Sequence, residues 1–189
     1  MENFTRILKE SSPVLVLCII GELFAGLVLA GGGELIAMIP GLLVLFPAVL
    51  SLRGNISSSL GSRLGSAIHL GLIDTKVSWL TFKGPTVKEN IAASTVLNII
   101  MSFILGVLAY IVSISAGLDA NMFVLVFVSL LAGLLSGIFL TFLTLFLAVY
   151  TASKGLDPDN VLTPSVATIG DIFTVLFLFI SARLALILI

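Results

Sequence analysis

Charge is what this sequence has least of. Only 10% of its 189 residues are Asp, Glu, Lys or Arg, nine basic against ten acidic, for a net charge of −1. That balance leaves no basic stripe for a phosphate backbone and excludes nucleic acid as a partner. A single cysteine, Cys18, excludes a disulfide framework and a thiolate metal cluster. Inside an apolar run it reads as a small core hydrophobe. A single histidine, His69, excludes a multi-histidine zinc or copper site, and among apolar neighbours at a membrane edge it reads as neither ligand nor base. What the chain has in excess is hydrocarbon: 59% hydrophobic residues and a mean hydropathy of +1.26. This is the composition of an integral membrane protein. The length suits about five spans of ~20 residues with their connections. The expectation is one all-α membrane unit over residues 1–189, without a soluble regulatory domain and surrounded by the lipid bilayer.

Residues 1–12 are polar, with Phe4, Ile7 and Leu8 on one side of an amphipathic lead-in. The apolar run that follows is too long for a cleavable signal and has no clear cleavage site. The first span, 13–30, is interrupted by Glu22 and ends at Gly31, Gly32 and Gly33; Glu34 opens the next run. The second span, 35–52, carries Pro40 and Pro47 and gives way to a stretch rich in glycine and serine, 53–71. That stretch predicts a second helix broken near its end, since irregular backbone at membrane depth needs protein or water around it. Residues 72–90 read as a polar loop with Trp79 and Phe82 as interfacial anchors. The third span, 91–115, contains Asn98, a candidate for one interhelical hydrogen bond. The fourth, 122–150, has Gly133, Ser136 and Gly137, a patch suited to close helix packing. Thr163 followed by Pro164 predicts the N-cap and first residue of the fifth span.

Basic residues give an orientation. Arg6, Lys9, Arg53, Arg63, Lys76, Lys83, Lys88 and Lys154 fall on one side of a five-span chain, and Arg183 alone falls near the other. The positive-inside rule then puts the N-terminus in the cytoplasm and the C-terminus outside the cell membrane.

Two polar constellations carry the chemistry. Ser51, Asn55 and Ser59 are spaced i, i+4, i+8, and so are Thr163, Ala167 and Asp171, each set on one helix face. Asp157, Asp159 and Asn160 precede the second set. All offer hard oxygen: carboxylate, amide carbonyl, hydroxyl or freed backbone carbonyl. That set suits Mg²⁺, which keeps most of its waters and is held by one or two carboxylates. A lone carboxylate as deep as Asp171 costs roughly 3 kcal/mol or more unless it faces a partner or water, which makes it the leading functional residue. Asp157 to Asn160 reads equally as a turn, and the serines and glycines at 54–66 as packing contacts. Glu22 reads either as a structural acid or as part of the ion path.

The order of these features resembles the membrane domain of MgtE-type magnesium transporters and their eukaryotic solute-carrier relatives. Glu34 is followed by a proline-containing helix ending L-F-P-A-V-L-S-L-R-G-N-I-S-S-S-L-G-S-R-L, and the pattern closes with D-P-D-N-V-L-T-P-S-V-A-T-I-G-D. Pro47, Gly54 and Asn55 match the first family element, and Asp157, Pro158, Pro164, Thr168 and Asp171 the second. The resemblance implies a five-helix protomer that forms a homodimer, with a cation pathway at the interface between helices two and five. It further implies that Asp171 holds hydrated Mg²⁺ with help from Asn55 and the Ala167 carbonyl. The chain departs from the pattern where Arg53-Gly54 replaces a double glycine, at Ser59 and Thr163, and in carrying Glu22.

The function expected is therefore a divalent-cation channel or transporter and not an enzyme. A Na⁺- or H⁺-coupled exchanger is the close variant, in which Glu22 would be a second ionisable group on the path. An intramembrane aspartyl protease needs two facing carboxylates, and no second intramembrane Asp is available. A non-transporting assembly subunit leaves Asp171 without a reason.

Overall fold

The computed structural model describes residues 2–74, 83–156 and 158–188, and among them every regular element is a helix. Six helices follow in order: α1 Glu2–Gly31, α2 Gly33–Met38, α3 Leu42–His69, α4 Pro85–Ser115, α5 Met122–Ser153 and α6 Pro158–Leu188. All but the short α2 are long and apolar enough to cross a membrane, which gives five candidate spans. Trp79 and Phe82, expected as interfacial anchors, lie outside the described residues.

α1 runs unbroken from Glu2 through the expected lead-in and α4 starts at Pro85, inside the expected loop 72–90; two further boundary differences bear on the site. Residues 53–69 are neither broken nor re-entrant but continue α3 as an unbroken helix. The break falls earlier, at 39–41, where Gly41 takes a φ of +87° that a side chain would strain. Hydrogen bonding within a helix satisfies every glycine and serine backbone group, so a small-residue stretch held by neighbours has no cause to unwind. The second correction is at α6, which starts at Pro158, with Pro164 inside the helix and Thr163 not at its cap. Both prolines suit a first-turn position, and the earlier of the two takes it. These corrections move Arg53 and Arg63 from an expected connection into a span.

α5 packs against α3, α4 and α6 and is the centre of the bundle, whereas α1 packs mainly on α6. Contacts between α1 and α6 rise together along both chains: Asn160 with Glu10, Pro164 with Cys18, Thr168 with Gly21, and Phe179 with Gly32. The first and last spans therefore run parallel, as an odd number of crossings requires. α4 and α5 approach closely through the small residues. Asn98 Nδ2 donates to the Gly133 carbonyl at 2.6 Å, and Ser129 Oγ donates to the Ser102 carbonyl at 2.7 Å.

The apolar core comes in two parts. One joins Leu42, Leu45, Phe46 and Val49 of α3 with Ala109 of α4, Val124 to Ala132 of α5 and Val175 to Ala185 of α6. The other joins Leu60, Leu64 and Ile68 of α3 with Val87 of α4, Leu140 to Val149 of α5 and Leu162 and Val166 of α6. Between them, near the middle of α3, α4, α5 and α6, the buried residues turn polar: Arg53 and Ser57, Ser94, Asn98 and Ser102, Ser136, Thr168 and Thr174. The functional candidates lie in this layer.

Candidate functional site

Asp171 sits in the polar layer, partly buried on α6. The Gly21 backbone of α1 passes so close to α6 that a Cβ there would lie 2.3 Å from Thr168 Cγ2. That approach brings the next residue, Glu22, alongside Asp171, and their carboxyl groups are within hydrogen-bonding reach. From the other flank comes Arg53 of α3, only 2% exposed. Its guanidinium donates to Thr174 Oγ1, within one turn of Asp171, and faces the Asp171 carboxylate electrostatically. Thr174 Oγ1 in turn donates to the Gly170 carbonyl at 2.5 Å. The deep carboxylate thus lies beside a second carboxyl and within the field of a buried cation.

The sequence reading places Arg53 in a connection, and the structure places it inside α3, buried. Its spacing was informative: Phe46, Val49, Arg53, Ser57, Leu60 and Leu64 recur every three or four residues, all buried. Beyond Arg53, a cavity of about 20 Å³ is lined by Arg53, Ser57, Ser94, Asn98 and Thr141, among others. It has room for one water molecule. Arg53 Nε and Asn98 Oδ1 are buried there without a protein partner. A water between them would accept from the first and donate to the second.

Ser51, Asn55 and Ser59 share one face of α3 as predicted, and that face is exposed, together with Ser62 and Ser66. It lies on the opposite side of the helix from Arg53, since two residues advance the helix by about 200°. Within one chain the Asn55 amide and Ser51 hydroxyl therefore point away from the Arg53 side of α3. Ser59 Oγ accepts from Arg63 at 2.8 Å, and Arg63 also donates to Asn90 Oδ1 and Ser94 Oγ.

On α6, Thr163 and Ala167 are partly buried, and Thr168 is buried against Gly21. The Ala167 carbonyl serves the helix and keeps one free lone pair. Asn160 Nδ2 donates to Glu10 Oε2 at 3.1 Å, fastening the start of α6 to α1. Glu34 is exposed in the first turn of α2, beside a groove it shares with Gly32, Phe179 and Arg183. Asp157 lies outside the described residues. Among the described residues, no three His, Cys, Asp or Glu side chains gather at one point. One chain alone thus offers a cation two carboxylates, the number compatible with a largely hydrated ion.

The sequence model of the MgtE family, described as a divalent cation transporter, matches residues 46–181, from α3 through most of α6. The chain is also similar to solute carrier family 41 member 2 of mouse, 32% identical over 94% of this chain, and to the human and chicken proteins of that name, 31% and 30% identical over the same share. It spans about a third of the length of these relatives, 33% in each case. No solved structure matches it.

Proposed function

Because the chain belongs to the MgtE family of divalent cation transporters, we propose that it carries hydrated Mg²⁺ across the cell membrane, with Asp171 as its main ion-binding carboxylate. The observation that carries this reading is the polar layer between two apolar cores, with the Asp171 carboxyl at its partly open edge. A carboxylate at the middle of a span is kept for a pathway or a partner, and hard oxygen with most waters retained is Mg²⁺ chemistry.

The transporting unit is a homodimer. Ser51, Asn55, Ser59, Ser62 and Ser66 make a polar stripe on a helix whose other outward neighbours are apolar, and Glu22 is exposed beside α6. Lipid cannot solvate these groups. A second copy facing the first would enclose them in a water-filled path lined by α3 and α6, with Asn55 and Ser51 toward the hydrated ion. The N-terminus lies in the cytoplasm, with Lys9, Lys83, Lys88 and Lys154 on that side.

A protease reading gains a second facing carboxyl in Glu22 but loses on Arg53. Two acids that share a proton for hydrolysis work as a pair of like charges, and a buried guanidinium beside them removes that condition.

The test is Mg²⁺ flux into proteoliposomes of the purified protein, with and without a Na⁺ or pH gradient. Flux following the Mg²⁺ gradient alone identifies a channel, and flux that requires a second gradient identifies an exchanger. No divalent flux in any condition overturns the proposal in favour of an assembly role.

A further inference from the structure

Arg53 and Glu22 are the two charged side chains that act on the Asp171 carboxylate. Arg53 is 98% removed from solvent, at 2% exposure, and faces Asp171 from α3. A guanidinium stays charged at neutral pH even in such a place. It therefore offsets the charge of Asp171, and a site made of these two residues alone would be neutral and attract no cation. Glu22 reaches the same carboxyl from α1, where the Gly21–Thr168 approach holds it. With both carboxyls ionised, two carboxylates against one guanidinium give a net charge of −1.

We infer that Glu22 is a second cation-binding carboxylate, supplied by α1, and that Arg53 is a fixed internal counter-charge which makes it necessary. The inference rests on the proposed Mg²⁺ pathway and specifies how its charge is set. Arg53 does not touch the ion; it acts through Asp171 as a positioning residue, held by Thr174 Oγ1. Glu22 is exposed in the single chain, so its carboxylate is open to the path that a second copy would enclose. Two such sites facing each other present −2 to an ion of charge +2.

The experiment measures initial Mg²⁺ flux into proteoliposomes against Mg²⁺ concentration for the wild type, Glu22→Gln, Glu22→Asp and the double variant Glu22→Gln/Arg53→Gln. Loss of the Glu22 charge should raise the half-saturating concentration about tenfold or more, with a smaller change in maximal rate. Glu22→Asp should stay within about threefold of wild type, and the double variant should recover most of the loss because its net charge is again −1. A half-saturating concentration unchanged in Glu22→Gln, or a double variant as weak as Glu22→Gln, overturns the inference while the wild-type flux leaves the pathway standing. Should the double variant not assemble, the first pair decides: Glu22→Asp as weak as Glu22→Gln also overturns it. Absence of wild-type flux overturns the pathway itself.

Discussion

Arg53 of α3 donates to Thr174 Oγ1 of α6 across the polar layer that separates the two apolar cores. Buried at 2% exposure, this guanidinium is the largest polar group in the interior, and it ties the helix bearing Asn55 to the helix bearing Asp171. A charge taken that far out of water is tolerated only with partners. Thr174 Oγ1 is its hydrogen-bond partner and the Asp171 carboxylate offsets its charge, so the site and the fold depend on the same residues.

Replacing Asp171 with Asn keeps the shape and removes the charge. Mg²⁺ flux in proteoliposomes should fall to the background of protein-free vesicles, while the protein still inserts in the membrane with a lower thermal midpoint, because Arg53 loses its counter-charge. Wild-type flux in this variant would remove Asp171 from the mechanism.

Thr174→Val removes the acceptor for Arg53 without changing volume much. Leaving a charged donor buried and unpaired costs roughly 1.5–3 kcal/mol, and the thermal midpoint in detergent should drop accordingly. Thr174→Ser restores the hydroxyl and should restore most of the midpoint. Equal midpoints for Val and Thr would show that the guanidinium finds another partner.

At the α4–α5 contact, a Cβ on Gly137 would lie 2.0 Å from Asn98 Nδ2 and one on Gly133 2.1 Å from Ser102 Oγ. Gly137→Ala should therefore destabilise by about 1–3 kcal/mol through overpacking. Gly26, with nothing within 4 Å of its Cβ position, is the control, and Gly26→Ala should leave the thermal midpoint at or slightly above wild type.

The exposed stripe of α3 predicts crosslinks between copies. Single cysteines at positions 55, 59 and 62, in a Cys18→Ser background, should form disulfide-linked dimers in native membranes on mild oxidation, read by non-reducing electrophoresis. Cysteine at position 142, an exposed phenylalanine of α5, should not. No crosslink at any stripe position would place the pore within one chain.

Composition and spacing by themselves determined a good deal. An apolar chain with so few charges has to bury its backbone polar groups in helices, and the length of each apolar run sets the number of spans. The faces shared by Ser51, Asn55 and Ser59 and by Thr163, Ala167 and Asp171 follow from the 3.6-residue repeat. The small residues at 133–137 announced a close contact because only small side chains let two helix backbones approach. Helix limits were less legible. Glycine and serine at 54–66 read as breakers in isolation, yet remain helical once neighbouring helices hold them. With that stretch read as a connection, Arg53 falls among the basic residues of one membrane side and not inside a span.

Only the tertiary structure decided what Asp171 faces. Glu22 and Asp171 are separated by most of the chain, and they meet because α1 runs parallel to α6 and Gly21 lets the two helices close on each other. Local periodicity records which side of a helix a residue occupies. Which other helix covers that side is set by packing the whole bundle, and here that packing put a second carboxyl and a buried guanidinium around one aspartate.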